Sequence, residues 1–277
     1  MTKNKLPVVL LIYAILFIFV VISVYPVLRV FSISLRPGDQ LLSTSLALIP
    51  ENASWDNFKE LFTERPFLRW MFNSCLVSFA VTILGISLAS TAGYVLSRFK
   101  FIGRSAAMIS ILTTQMFPAT MLLLPMYIII SRLNLLNTYA GLIVIYSATA
   151  LPFCVWTMKG YYDTIPHSLE EAAQIDGCNR FQSFYKVILP LVSPALVITG
   201  LFSFISAWSE YLVAAQVLQD PRMYTLPLGL KQFEQSMSTE WGLYAAGALI
   251  VSIPVITLFL IANRWLVGGL TLGGVKE

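Results

Sequence analysis

Charge is what this chain has least of. Asp, Glu, Lys and Arg together make up 12% of its 277 residues, against roughly a quarter in soluble domains. So sparse a supply cannot cover an aqueous surface, which excludes an ordinary soluble one- or two-domain protein. Histidine occurs once, as His167; that excludes a two-histidine zinc site and fits a residue flanking a helix start. The three cysteines, Cys75, Cys154 and Cys178, contain no CxxC pair and fall on different segments, so they make no disulfide framework. No lysine follows a glycine, and a phosphate-binding P-loop needs that dipeptide. No GxSxG elbow occurs either. Glu170, Glu171 and Asp176 can be read as paired carboxylates, but acids near a helix start usually serve the helix dipole. The chain is not expected to be an enzyme.

What is abundant is apolar. Hydrophobic residues make up 57% of the chain, and the mean hydropathy is +0.76. Charge-free runs cover residues 6–28, 70–97, 105–131, 133–158, 187–209 and 241–263, each of 23 residues or more. About 20 apolar residues cross the hydrocarbon core as a helix. Only helices or closed barrels satisfy every backbone group in lipid, and barrel strands would alternate rather than run solidly apolar. The expectation is an all-α polytopic membrane protein, a single transmembrane domain over residues 1–277. Its six helices are placed at residues 6–30, 70–97, 105–131, 139–158, 187–219 and 241–263. Gly85, Ala89 and Gly93 give the second helix a small-residue face suited to close helix contact. Pro118, Pro125, Pro152, Pro190, Pro194 and Pro254 interrupt helices three to six, as is tolerated where neighbours or a cavity re-satisfy the backbone.

The first apolar run is longer than a signal-peptide core of about 7–15 residues and reaches Arg29 without a small-x-small site. It is expected to be a retained helix. With the N-terminus in the cytoplasm, ten Lys and Arg fall inside and seven outside, the bias that loop charge imposes on topology. Arg98, Lys100 and Arg104, in one short loop without an acid, give the sharpest signal. Both termini are predicted cytoplasmic. The net charge of +4 reflects that bias and implies no nucleic-acid partner.

Three polar segments are long enough for structure of their own. In the external segment 36–69, the stretch from Glu51 to Phe62 ends in Phe58, Leu61 and Phe62 at helical spacing, a short amphipathic helix at the membrane surface. The external segment 220–240 is polar and punctuated by Pro221, Pro227 and Gly229. The segment 159–186 faces the cytoplasm and reads as two short helices around a glycine. Ser168 through Glu171 has the form of a capping box, preceded by Pro166; Gly177 supplies a left-handed helix end; Asn179 can cap a second helix. Alone, such a hairpin is a connector or a docking surface.

Glu171-Ala172-Ala173, then Gly177, then Val187-Ile188-Leu189-Pro190 resembles the EAA---G---------I-LP signature of ABC importer permeases, with Val187 in place of the usual isoleucine. The stretch from Trp156 through Pro194 is similar to maltose/maltodextrin-type permeases of the binding-protein-dependent carbohydrate class. So are Ser34-Leu35-Arg36, Gln115-Met116-Phe117-Pro118, Tyr224-Thr225-Leu226 and the ending from Gly268 to Lys276. The resemblance implies a type I importer permease of the bacterial inner membrane. Its partners would be a second permease subunit, a dimer of ATP-binding subunits that carry the ATP and Mg, and an extracytoplasmic sugar-binding protein. No cofactor would be bound by this chain. Glu171, Ala172, Ala173, Asp176, Gly177, Leu189 and Pro190 would form the coupling loop seated in the ATPase. Gly273, Gly274, Val275 and Lys276, in the tail 264–277, would reach between the ATPase subunits. Tyr224, Gly229, Gln232 and Glu234 would meet the binding protein. The resemblance also implies that most of the sugar site lies on the partner permease.

Glu210 follows Ala207-Trp208-Ser209. A carboxylate in lipid costs about 2.5–3.5 kcal/mol on insertion scales, so it is expected either to face the pore or a helix partner, or to surface at the external interface beside Trp208 and Tyr211. An ion-coupled secondary transporter and a permease for a different oligosaccharide are the alternative functions.

Overall fold

The computed structural model describes residues 6–37, 49–234 and 239–272. Helix α1 (Leu6–Ser34) runs unbroken through Pro26 and leaves almost all of its apolar side chains exposed, with Ser32 and Ser34 buried near its end. The short helix expected after residue 51 is α2 (Asp56–Thr63), which buries Leu61. Its first turn is ordered by Ser54, whose Oγ donates to Asp56 Oδ2 at 2.8 Å and accepts from the Asp56 amide at 3.2 Å. Helix α3 (Phe67–Arg98) follows.

The third apolar run is not one helix. It divides into α4 (Arg104–Thr114) and α5 (Ala119–Arg132), separated at residues 115–118. Pro118 has ψ 129; it lacks an amide to continue the ladder and disfavours helical geometry in the residue before it. Two left-handed asparagines, Asn134 and Asn137, then turn the chain into α6 (Tyr139–Thr164), whose first turn is capped by Thr138 Oγ1 accepting from the Gly141 amide at 3.0 Å.

The hairpin after α6 contains α7 (Ser168–Ile175) and α8 (Arg180–Ser183), and α8 continues through a π turn at Phe184–Ile188 into α9 (Leu189–Leu191). At Val192 the path bends by 77° into α10 (Ser193–Trp208). A second break at residues 209–211 precedes α11 (Leu212–Val217), so the fifth run is also less continuous than expected. A 3-10 turn (Pro221–Met223), α12 (Leu226–Leu230), another 3-10 turn (Lys231–Phe233) and α13 (Trp241–Leu272) complete the chain. Among the described residues, four helices are long and apolar enough to cross a membrane alone. The bent pair Arg180–Leu191 and Ser193–Trp208 makes a fifth if counted as one span.

The chain forms two compact units, one of residues 1–67 with 230–253 and one of 68–229 with 254–277. In the first, Asn57 Nδ2 donates to the carbonyls of Ser34 and Arg36, both at 2.9 Å. Arg65 joins Glu60 at 2.7 Å to Glu240 at 2.9 Å and lies over the Phe233 ring. The second unit has two apolar clusters. One gathers Tyr94, Met158, Tyr162, Phe184 and Ile188 beneath the hairpin; the other gathers Val77, Ile130, Leu142, Tyr146, Ala207 and Val217.

Candidate functional site

The hairpin begins earlier than the sequence predicts. Pro166 presets a helical start, and its carbonyl accepts from the Leu169 amide while the His167 carbonyl accepts from Glu170 and Glu171. Ser168 therefore lies inside α7, and no side chain caps the helix; the capping box expected at Ser168 and Glu171 does not form. A reciprocal box does form at α8. Asn179 Oδ1 accepts from the Gln182 amide at 2.8 Å, and Gln182 Oε1 accepts from the Asn179 amide at 3.0 Å.

The two neighbouring glutamates have opposite fates. Glu171 is exposed, whereas Glu170 is buried. Glu170 Oε1 accepts from Arg98 Nε, and its other oxygen accepts from the Tyr94 hydroxyl at 2.9 Å. Arg98 Nη2 donates in turn to the Ile165 carbonyl at 2.9 Å. The side chains of Arg98 and Glu170 are only 4% and 11% exposed, so little water screens their attraction. One guanidinium thus ties the end of α3, the end of α6 and the start of α7 together. Aromatic contacts close the surroundings, with Tyr94 at 4.6 Å from Phe184 and 5.6 Å from Tyr162 between ring centroids. Arg180 lies over Phe99 on the other limb. None of these partners was legible in the sequence, since Arg98 stands 72 residues before Glu170.

With its base fixed, the hairpin turns its signature outward. Ala173 is buried, while Glu171, Ala172, Asp176 and Gly177 are exposed. Gly177 has φ +92 and open space where a side chain would project, the left-handed geometry anticipated. Its amide bonds to the Gln174 carbonyl at 3.1 Å, and the Cys178 amide to Ala173 at 3.0 Å. Leu189 is half-buried and Pro190 exposed just before the 77° bend. Exposed Ile175, Phe181 and Tyr185 surround the motif with apolar area, Ile175 at 85%. An outward face that mixes acids with large apolar side chains suits a protein partner.

This chain matches the model of the binding-protein-dependent transport system inner membrane component over residues 82–271. The chain belongs to that family. Two relatives are similar over nearly their whole length. The maltose/maltodextrin transport system permease protein MalG of Yersinia pestis is 39% identical over 93% of this chain and 90% of its own. MalG of Escherichia coli K12 is 38% identical over 95% of this chain and 94% of its own. The fold is also that of a solved chain from a bacterial ABC transporter that imports the acidic polysaccharide alginate, with a TM-score of 0.81 at 23% identity, covering 95% of this chain and 98% of that one. This chain is thus a multi-pass membrane permease of a binding-protein-dependent family, and its relatives are permeases rather than enzymes.

The remaining expected site residues are scattered in the family fold. The segment 220–240 is less open than its polar sequence predicts. Asn73 Nδ2 donates to the carbonyls of Arg222 and Tyr224 at 3.0 and 2.9 Å, Trp70 Nε1 donates to Pro221, and Ser74 Oγ receives the Leu226 amide at 2.7 Å. Tyr224 is half-buried and Gly229 is buried against the Trp70 indole, where a side chain would collide. Gln232 and Glu234 are exposed, and Lys231 pairs with Glu234. Arg222 bonds Asp220 and holds its carboxyl below the usual range. The tail residues Gly273, Gly274, Val275 and Lys276 lie outside the described residues.

Glu210 is half-buried at the α10–α11 break. Its carboxylate accepts from the amides of Val213 and Ala214 at 2.9 and 3.2 Å and from the Tyr146 hydroxyl at 2.7 Å. It caps the restarted helix while bordering a pocket that mixes the hydroxyls of Thr149, Ser206 and Ser209 with apolar walls. That cap was available in the sequence as an acid two residues before the new helix, but the apolar run through Ser209 suggested one continuous helix.

Proposed function

We propose that this chain is a permease subunit of an ATP-driven importer of oligosaccharide, with maltose or maltodextrin the favoured cargo. The observation that carries the reading is the hairpin. Its signature acid Glu171 faces outward on a base held to two long helices by Arg98 and Glu170, as a coupling element should. End-to-end similarity to permeases named for maltose and maltodextrin supplies the cargo. In this reading six spans place both termini in the cytoplasm of a bacterium, across its inner membrane, with the two halves of the broken third run serving as one span. A second permease completes the pore, and paired ATP-binding subunits receive the hairpin and the tail, holding ATP and Mg. An extracytoplasmic sugar-binding protein approaches the exposed Gln232 and Glu234.

The test is reconstitution of this chain with its candidate partner permease, ATPase and binding protein in lipid vesicles. Uptake of labelled maltotriose that requires both ATP and the binding protein is the expected result. Uptake driven by an ion gradient without ATP would sink the reading.

A further inference from the structure

The pocket beside Glu210 differs in chemistry from the apolar cavity next to α4. A cavity between α3, α4 and α6 is walled by Leu88, Val95, Ile111 and Val155. The pocket at the α10–α11 break, about 500 Å³, is lined instead by Thr149, Ser206, Ser209 and Glu210, with Phe202 and Tyr211 among its walls. That volume falls within the roughly 300–1,000 Å³ typical of small-molecule sites. Two helix interruptions border it. Gln115, at the α4–α5 break, reaches toward the Thr149 carbonyl, and Glu210 sits in the α10–α11 break. Non-helical backbone at membrane depth is tolerated where it lines a cavity, and discontinuous helices mark substrate sites in many carriers. Thr149 lies ten residues along α6 from Tyr139, about 15 Å at 1.5 Å per residue.

Hydrogen-bond capacity defines the ligand. Thr149 Oγ1 donates to the Tyr146 carbonyl at 3.0 Å and Ser209 Oγ to the Ile205 carbonyl at 2.6 Å, so their hydrogens are committed and their lone pairs remain. The Glu210 carboxylate only accepts. Ser206 and Tyr211 add hydroxyls that can donate as well as accept, so the site suits a ligand that carries both donors and acceptors. Hydroxyl groups on a ring with an apolar face meet this demand beside Phe202 and Tyr211. No basic residue lines the pocket, and among the described residues Glu210 has no ion-pair partner. An anionic sugar would meet an unneutralised carboxylate.

We propose that this permease contributes its own subsite for a neutral sugar ring, formed by Thr149, Ser206, Ser209 and Glu210, and that Glu210 selects against acidic saccharides. The proposal rests on the reading of the chain as an oligosaccharide permease.

The experiment uses the assembled importer with Cys75, Cys154 and Cys178 replaced by serine and Ser206→Cys introduced, trapped with the binding protein and vanadate. Thiol alkylation is timed with and without saturating maltotriose, and with an oligouronate of equal length. Maltotriose should slow labelling at least about fivefold, as occupancy of a snug site requires, and the oligouronate should not. Thr149→Cys reports on the same site if Ser206→Cys does not assemble. Unchanged labelling in a complex that still takes up maltotriose overturns the subsite, whereas failure of the wild type to take up any neutral sugar overturns the permease reading instead. Glu210→Gln should lower the neutral-to-acidic uptake ratio at least about fivefold by removing like-charge repulsion. An unchanged ratio overturns the selection role.

Discussion

The α7–α8 hairpin and the 220–240 segment are both connections between apolar runs, and both were expected to meet other proteins. Their constructions are opposite. The hairpin buries what supports it, Glu170 and Ala173, and exposes its signature, Glu171 and Gly177. The 220–240 segment buries part of its expected contact set, with Gly229 packed against Trp70. The lesson is that an exposed motif depends on a buried neighbour. A glutamate beside the recognised motif anchors it, and a glycine inside a loop marks close packing rather than freedom.

The largest effect should come from removing the anchor. Glu170→Ala leaves Arg98 buried without its counter-charge, and breaking one side of a buried pair costs roughly 3–5 kcal/mol. The hairpin should loosen, sugar uptake should fall to background and the ATPase should be lost in copurification. Glu171→Ala should leave the permease's thermal stability within about 0.5 kcal/mol of wild type, as for exposed sites, yet weaken ATPase retention. Equal stability loss in the two variants would erase the contrast between the glutamates.

Gly229→Val tests the other region. Its side chain would enter the Trp70 indole, and overpacking costs about 1–3 kcal/mol. A fall in melting temperature is expected, and Gln232→Ala, at an exposed position, should show none. Gly177→Val comes next. No neighbour obstructs it, but a left-handed side chain is strained by about 1–2 kcal/mol. It should insert normally yet lose uptake, and Gly177→Asn should restore much of it because asparagine tolerates that conformation.

Asn179→Ala removes half of the reciprocal cap, worth about 1 kcal/mol, and should speed amide exchange in α8 more than in α7. The smallest effect belongs to Asp220. Its lowered pKa means that any stability it lends exists above the ordinary carboxylate range and disappears as the pH falls through the depressed value. Because Arg222 is exposed and Asp220 only half-buried, Asp220→Asn should shift the acid-side melting profile little, since pairs at the surface are worth little.

Local patterns were the legible part. The apolar runs located the long helices, Asn179 marked its cap and Gly177 its left-handed turn. The breaks were less legible because apolarity reports solvent, not continuity. Pro118 hinted at the first break, whereas the α10–α11 break has no proline and is ordered by Glu210 accepting two amides. No capping box forms at Ser168 because the first turn already opens on the Pro166 and His167 carbonyls, and Arg98 holds the neighbouring Glu170 inward. Long-range partners such as Tyr94 and Ile165 have no signature in a single sequence.

The 77° elbow at Val192 is a crank. A rigid displacement along the arm Arg180–Leu191 projects only about one-fifth of its length onto the axis of Ser193–Trp208, the cosine of that angle. Nearly all of the stroke emerges perpendicular to the second arm. A pull along the first arm would therefore act across α10 rather than along it, and across is the direction that would widen or narrow a gap between neighbouring helices.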